Sequence, residues 1–161
     1  MKKYLALGLL VLSVSAFADS DASLWIFKGK GNLNGGAIPK HSTDVYQVEQ
    51  ETKNYDIGYL NEGSMDAFKR DGLFAMRRFS LDLTPKLESS VALGPYGMAT
   101  TIDGPSPYSY HYHYGLSLMT AISLKYRLID NISIQARYEH IMLSTDSRDT
   151  DMMLAGFGYN F

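Results

Sequence analysis

Apolar and polar side chains alternate along much of the chain, which is the period of β-strands whose two faces meet different surroundings. In Ile132–Leu143, for example, apolar and tyrosine side chains oppose serine, glutamine, arginine and glutamate side chains. The alternation in Tyr110–Leu128 is longer than most strands of soluble sheets. The pattern predicts eight strands, at Leu24–Gly31, Val45–Thr52, Tyr55–Tyr59, Leu73–Leu83, Leu87–Gly94, Tyr110–Leu128, Ile132–Leu143 and Asp151–Phe161.

The predicted links between these strands alternate between long and short. Short turns at one end and long loops at the other are typical of outer-membrane barrels, in which an even strand number puts both termini in the periplasm. The sequence therefore predicts an all-β fold: an eight-stranded antiparallel up-and-down transmembrane β-barrel. The short links are Lys53-Asn54, Thr84–Lys86 and Ile129–Asn131, and the long links are Asn32–Ser42, Asn61–Asp71, Thr101–Ser109 and Ser144–Thr150.

The last residues, Leu154–Phe161, place an aromatic ring at every second position. Phe157, Tyr159 and Phe161 share one face of the strand, which we expect to lie against lipid. A terminal phenylalanine preceded by alternating aromatic or apolar residues resembles the C-terminal signature of bacterial outer-membrane β-barrels. The resemblance implies that these three residues form an assembly signal for the barrel assembly machinery. In a closed barrel the last strand also pairs with the first.

The first 18 residues have the organisation of a secretory signal peptide. Lys2 and Lys3 precede an apolar run, and small residues lead to Ala18. We therefore expect a signal peptide at residues 1–18, cleaved after Ala18, and an outer-membrane barrel at residues 19–161 of a Gram-negative protein.

Composition narrows the expected partners. The chain has 15 Lys+Arg and 17 Asp+Glu, so removal of the two lysines of the signal leaves 13 minus 17, a net charge of −4. This charge does not favour a nucleic-acid partner, and without cysteine no disulfide holds the exported protein. The expected partners are outer-membrane lipids and lipopolysaccharide. We expect a monomer without a cofactor.

An eight-stranded barrel is only just wide enough for side chains to fill its interior. The inward face carries charges of both signs, which must pair because an unpaired buried charge is very costly. A structural ionic core that plugs the lumen is favoured over a proton or substrate relay. Arg77 interrupts the apolar outer face and indicates a bulge or a position near the membrane interface. The predicted inward charges are Asp56, Arg78, Asp82, Glu88, Lys125, Arg127, Arg137 and Glu139.

Two stretches suggest binding. His111 and His113 lie two residues apart, hence about 7 Å apart on one face of a strand, and are candidates for a metal site at the extracellular rim. The predicted loop around "NEGSMDAFKRDG" supplies Glu62, Asp66 and Asp71 as candidate ligands for an ion or a small molecule.

A third stretch, "YEHIMLSTDSRDTD", suggests a hydrolase. The chain resembles the lipid A 3-O-deacylases in its length, in its predicted export and in having a His and a Ser late in the sequence. The motif of that family has His and Ser two residues apart on the next-to-last strand. Met142 stands at that serine position here, and Ser144 lies about 13 Å from His140 on an extended strand. Because a nucleophile must lie within hydrogen-bond reach of its base, no catalytic residue is assigned. Side-chain alternation also points His140 outward.

The sequence therefore favours a small outer-membrane barrel with a plugged lumen, no channel, and a structural or surface-binding role. One alternative is a deacylase-like hydrolase that modifies lipid A. The other is a soluble periplasmic carrier of the lipocalin type.

Overall fold

Eight antiparallel strands form a closed barrel in chain order in the computed structural model, which describes residues 22–34, 42–65, 68–103, 110–142 and 149–161. Each strand pairs with its neighbours in sequence, and β8 pairs with β1, so the predicted fold class is confirmed. The predicted signal peptide lies outside the described residues. The strands are β1 Ser23–Asn34, β2 Ser42–Glu51, β3 Tyr55–Met65, β4 Phe68–Thr84, β5 Leu87–Asp103, β6 Tyr110–Ile129, β7 Ile132–Met142 and β8 Asp149–Asn160.

The C-terminal strand closes the ring. Its pairing with β1 runs from Ser23 opposite Asn160 to Asn34 opposite Asp149. Beyond the strand, the Phe161 amide donates a hydrogen bond of 3.0 Å to the Ala22 carbonyl. The prediction that the first strand holds the aromatic terminus is therefore confirmed. The described residues contain no helix that is long and apolar enough to cross a membrane.

The strands tilt strongly against the barrel axis. A path from Ser23 through successive paired neighbours climbs the barrel wall and returns to β1 near Asn32, at the far end of the strand. Such a stagger accompanies a tilt of about 40° and an interior that side chains can fill. The path runs through Ser23, Glu51, Asp56 and Met76, and from the adjoining Arg77 through Leu93, Thr120, His140 and Asp151 to Asn32.

The two faces of the wall differ in chemistry. Outward positions are mostly apolar, and Met153, for example, is 65% exposed. Inward positions hold charged side chains together with large apolar ones. The alternation predicted in Ile132–Leu143 is confirmed on β7, where Ile134 and Tyr138 are exposed and Arg137 and Glu139 are buried. Exposed large hydrophobic residues of the outer face include Ile26, Leu73, Phe79, Leu81, Val91, Leu116, Ile122, Ile134 and Phe157.

Glycines in β8 make room for two aromatic rings from β1. Gly158 pairs with Trp25 and Gly156 pairs with Phe27, and both rings are fully buried. A Cβ atom at Gly156 would lie 2.2 Å from the Phe27 ring, and one at Gly158 would lie 2.4 Å from the Trp25 ring. The rings stack with their centroids 5.6 Å apart. The inward face of the "GFGYNF" terminus is therefore shaped by the first strand.

The hairpin between β3 and β4 differs from the prediction. Asn61–Asp71 was expected to be a long loop, but most of it is paired strand, from Asn61 opposite Asp71 to Met65 opposite Phe68. A bulge allows the pairing to continue: the register shifts between Asn61 and Gly63, and Gly63 adopts φ of 87°, a left-handed conformation that glycine tolerates. Strand β5 likewise continues past its predicted end, to Asp103.

The structure differs from the sequence prediction at three charged residues. Arg77 lies at no bulge: it pairs with Tyr55, the first residue of β3, and its guanidinium lies 4.8 Å from the centre of that ring. Asp82 and Arg127 are exposed rather than enclosed, because both lie beside register shifts where β4 and β6 approach their short turns. The remaining predicted inward charges are buried or half-buried: Asp56, Arg78, Glu88, Lys125, Arg137 and Glu139.

We expect Gly156→Ala to lower the free energy of unfolding by about 1 to 3 kcal/mol, because the added methyl would overlap the Phe27 ring. Gly97→Ala is the matched control, since its Cβ would meet only the Leu73 carbonyl oxygen, at 3.9 Å. Urea titration in lipid vesicles, followed by the fluorescence of Trp25, the single tryptophan, measures both variants. Equal stability of the two variants would contradict this packing.

Candidate functional site

Arg137 is the centre of a buried ionic network in the lumen. Its Nη1 donates a hydrogen bond of 2.6 Å to Oε1 of Glu49, and its Nη2 lies 3.4 Å from Oδ2 of Asp56. Its Nε lies 2.7 Å from Oε1 of Glu139. All four side chains are at most 1% exposed, so contacts between the guanidinium and the carboxylates replace the contacts that these groups would make with water.

Arg78 and Lys125 extend this network towards the end of the barrel that holds Ala22 and Phe161, the first and last described residues. Arg78 forms an ion pair with Glu51, lies 3.3 Å from Asp56, and donates a 2.7 Å hydrogen bond to Glu88. The ammonium of Lys125 lies 2.8 Å from both Glu51 and Glu88. Asp56 therefore links the two arginines, and Glu51 and Glu88 each link Arg78 to Lys125.

Three carboxylates of this network are close enough to share a metal ion. Oxygen atoms of Glu49, Glu51 and Asp56 lie within 4.8 Å of one another, the one such cluster among the described residues. Each of these carboxylates also contacts Arg137, Arg78 or Lys125. The acidic cluster is therefore already in contact with cations of the protein itself.

Apolar side chains separate this network from a second polar cluster. Along the inward positions of β4, Arg78 is followed by Met76, Phe74 and then Arg70; along β3, Asp56 is followed by Leu60 and Glu62. The lumen is therefore layered, with charge at two levels and a packed apolar layer between them. The fully buried apolar and aromatic residues are Trp25, Phe27, Val45, Leu60, Met76, Tyr96, Met119, Ile141 and Met152.

The second cluster lies towards the end of the barrel that carries the longer predicted loops. Arg70 lies 3.2 Å from Oε2 of Glu62 and donates to the Thr150 hydroxyl at 3.3 Å. The Tyr96 hydroxyl donates a 2.9 Å hydrogen bond to Oε1 of Glu62. This cluster therefore pairs one cation with one carboxylate.

A polar cavity of about 470 Å³ lies beneath the network, at the end with the short turns. Glu51, Arg78, Glu88 and Lys125 form its inner wall. Asp82, Arg127, Asp130 and Phe161 are among the residues around its mouth. The side chains predicted to point inward at Asp82 and Arg127 therefore line this open mouth.

The outer face also carries polar contacts, towards the end opposite the termini. The Tyr59 hydroxyl donates 2.6 Å to Asp71, and the Tyr138 hydroxyl donates 2.5 Å to Asp151. Nδ1 of His140 lies 2.8 Å from the same Asp151 oxygen. Since these residues are direct or near cross-strand neighbours, each tyrosine is oriented by a carboxylate on the adjoining strand.

The three residues of the predicted binding loop do not form one site. Glu62 points into the lumen, whereas Asp71 lies on the outer face, where it accepts the Tyr59 hydrogen bond. Strand alternation produces this difference: Glu62 follows the buried Leu60 on the inward positions of β3, whereas Asp71 precedes the exposed Leu73 on the outward positions of β4. Both residues lie in paired strands rather than in a loop, and Asp66 lies outside the described residues.

The two predicted metal ligands lie in an extension of the β5–β6 hairpin. His113 pairs with Thr100 and is exposed, and His111 pairs with Ile102. The His111 side chain lies outside the described part of the structure. The acidic cluster described above does not include His113, and Glu62 is already bonded to Tyr96 and Arg70.

The predicted assembly residues lie on the outer face. Phe157, Tyr159 and Phe161 are 52%, 47% and 59% exposed, and the last two rings make an edge contact at 5.3 Å. His140 lies on the outward positions as predicted, followed on the same face by the exposed Met142. Ser144 lies outside the described residues.

Sequence reasoning missed much of the ionic network. In "VYQVEQE" the alternation puts Glu49 and Glu51 on the same face as Gln47, which could have marked them as inward charges. The strand carries few apolar residues, however, so the sequence does not show which of its faces points inward. Gln47 was also missed; its amide donates to both Glu49 and Glu139, at 2.8 and 3.0 Å. Arg70 was placed in a loop, so its pairing with Glu62 was not anticipated.

Comparison with solved structures finds the same barrel in small outer-membrane proteins. Neisserial surface protein A superposes with a TM-score of 0.70 at 13% identity, over 87% of this chain and 97% of that one. Ail, the attachment invasion locus protein of Yersinia pestis, gives 0.61 at 15% identity, over 89% and 99%. The N-terminal β-barrel domain of Pseudomonas aeruginosa OprF gives 0.60 at 16% identity, over 86% and 97%.

Neither a family model nor a curated protein matches the sequence. The shared property is therefore the fold: the chain is a closed eight-stranded antiparallel β-barrel that resembles outer-membrane proteins of Gram-negative bacteria.

Proposed function

We propose that the protein is an integral barrel of the Gram-negative outer membrane, with a sealed lumen and a structural or surface-binding role. One observation carries this proposal: the chain buries its charges and exposes its apolar side chains. Arg137 and Glu139 are at most 2% exposed, whereas Leu116 and Phe79 are 67% and 64% exposed. Exposed apolar side chains are unfavourable in water and favourable in the hydrocarbon core of a membrane.

The termini fit the same location. An N-terminal signal peptide at residues 1–18, cleaved after Ala18, would deliver the chain to the periplasm. Phe157, Tyr159 and Phe161 then serve as the assembly signal for the barrel assembly machinery. Ala22 and Phe161, the first and last described residues, lie at the end with the short turns, as expected for the periplasmic face. The mature barrel acts as a monomer among phospholipid and lipopolysaccharide.

A surface-binding role is supported by the β5–β6 hairpin. Its two strands remain paired up to Asp103 opposite Tyr110, well beyond the β1–β2 pairing. The hairpin presents His113 to solvent. Neisserial surface protein A is a surface protein by name, Ail is named for attachment and invasion, and both share the barrel fold of this chain.

A soluble carrier is less well supported. A lipocalin-like protein needs an apolar cavity inside and a polar surface outside. Here Trp25, Phe27 and Met119 fill the interior, and exposed residues such as Ile26 and Met153 cover the exterior.

We expect the purified chain to partition into membranes, to migrate faster unheated than heated on a gel, and to give no conductance steps in a planar bilayer. The first two results follow from a barrel stable in detergent, and the third from the packed lumen. A compact species soluble without detergent would contradict the membrane location. Steady single-channel currents would contradict the sealed lumen alone.

We expect Arg137→Met to lower the free energy of unfolding by about 3 to 5 kcal/mol, because Glu49, Asp56 and Glu139 would lose a buried counter-charge. Lys30→Gln, which breaks a solvent-exposed ion pair, is the control and should change stability little. Urea midpoints in lipid vesicles measure both. Adding Glu49→Gln to Arg137→Met should restore part of the lost stability. Equal stability of the Arg137→Met variant and the Lys30→Gln control would contradict the network.

A second candidate function is lipid-ester hydrolysis on the outer face, supported by the contact between His140 and Asp151. The carboxylate orients the imidazole through Nδ1 and leaves Nε2 free to act as a general base. Thr120 is the cross-strand neighbour of His140, and its hydroxyl donates a 3.3 Å hydrogen bond to the His140 backbone carbonyl.

If this candidate is correct, purified protein in lipid vesicles will release fatty acid from lipid A, and His140→Asn will reduce the rate by about 100-fold or more. Tyr138→Phe should retain the activity, because it keeps the pair of His140 and Asp151. Mass spectrometry of lipid A from cells with and without the gene provides the second readout. Unchanged acylation in both experiments removes the candidate and leaves the barrel proposal intact.

A further inference from the structure

The outward side chains of β1 change from apolar to basic along the strand. Leu24 and Ile26 are followed on the same face by Lys28 and Lys30. Both lysines are exposed, and they are two residues apart, so their Cα atoms are about 7 Å apart. Tyr46 is the cross-strand partner of Lys28. We call Lys28, Lys30 and Tyr46 the basic patch.

Outward tyrosines mark the level of the basic patch on the barrel. Tyr46 is part of the patch, and Tyr59, which pairs with Val48, lies one strand further round. The hydroxyls of Tyr59 and Tyr138 donate to Asp71 and Asp151, at positions further from the termini. Tyrosine favours the boundary between hydrocarbon and water, where its ring is apolar and its hydroxyl is wet. The basic patch therefore lies where the outer surface changes from apolar to polar.

Together with Asp44, the patch carries one positive charge in excess. Lys30 pairs with Asp44 at 2.8 Å, whereas the Lys28 ammonium lies 5.4 Å from the centre of the Tyr46 ring. No carboxylate ion pair of Lys28 is found in the part of the chain that the structure describes. A lysine on a lipid-facing surface is costly at the centre of the bilayer and much less so near its edge. An anion at the same level would remove the remaining cost.

The Lys30 contact does not prevent such an anion from binding. The side chains of Lys30 and Asp44 are 63% and 55% exposed, and exposed ion pairs contribute little stability. Lys30 can therefore exchange its carboxylate partner for a phosphate at small cost. One phosphate between the two lysines would then contact both ammonium groups.

The surroundings of the patch point to a lipid rather than a soluble anion. Ile26 lies below Lys28 on β1, and Met153, 65% exposed, is the cross-strand partner of Lys30. A ligand that fits must combine a negative head with apolar chains running down the barrel. The patch also lies away from the termini, hence on the extracellular side if the proposed location is correct.

We propose that Lys28 and Lys30 bind a phosphate of a lipid A-type glycolipid in the outer leaflet, with Tyr46 packed beside its head. The proposal rests on the proposed membrane location. Lysine near a charged membrane surface strengthens binding about fivefold per residue. We therefore expect Lys28→Gln and Lys30→Gln each to weaken binding about fivefold, and the double variant about 25-fold.

The test is native mass spectrometry of the folded barrel in detergent, with bisphosphorylated lipid A, dephosphorylated lipid A and phosphatidylglycerol as probes. Lys86→Gln, in the exposed turn between β4 and β5, is the matched control and should bind as the parent chain does. Lys28→Arg keeps the charge and should keep the affinity. Heat-modifiable migration of every variant confirms that the barrel has formed.

The proposal is overturned if the double variant binds bisphosphorylated lipid A as tightly as the Lys86→Gln control. If dephosphorylated lipid A binds as tightly as bisphosphorylated lipid A, no phosphate is recognised. If phosphatidylglycerol binds as tightly, the proposed preference for a glycolipid is overturned. A chain that never enters detergent or lipid would instead overturn the membrane location. The two failures are therefore distinguishable.

Discussion

Closure of the sheet by β8 against β1 is the constraint on which the rest of the structure depends. Hydrocarbon offers no hydrogen bonds to a strand edge, so each edge must find a partner within the protein. The pairing from Ser23 with Asn160 to Asn34 with Asp149 removes both edges, and the Phe161 amide extends it by one bond. With eight strands, closure also fixes a narrow lumen, and that width determines what the inward side chains must do.

In so narrow a lumen, charges of opposite sign are held in contact. Arg137 and Arg78 each meet three carboxylates, and Asp56 is shared between them. Such a network adds little net stability over an apolar core of the same shape, but losing one member leaves the others uncompensated. A layer of paired charges backed by packed apolar side chains supports the proposal that the lumen is sealed.

The sequence predicted the faces of the strands better than the contacts between them. A period of two survives wherever the wall separates two environments, so Ile132–Leu143 could be assigned from its pattern alone. The pairing of Arg137 with Glu49 joins residues 88 positions apart and depends on register, which periodicity does not contain. Asn61–Asp71 was mistaken for a loop because its Asn, Gly and Asp residues favour turns, whereas a bulge at Gly63 keeps them paired.

Because the lumen is filled, the chemistry available to this barrel lies on its rims and its outer wall. That wall is uneven. Outward apolar side chains extend along β6 as far as Leu116, whereas on β1 they stop at Ile26 and lysines follow. If the apolar band of the wall had the same height on every strand, the outward apolar side chains of β1 and β6 would end at the same level. The side of the barrel formed by β7, β8, β1 and β2 instead brings lysine, histidine and aspartate to one level of the outer wall. In the proposed membrane location lipid head groups begin at this level, so a specific lipid contact is expected on this side.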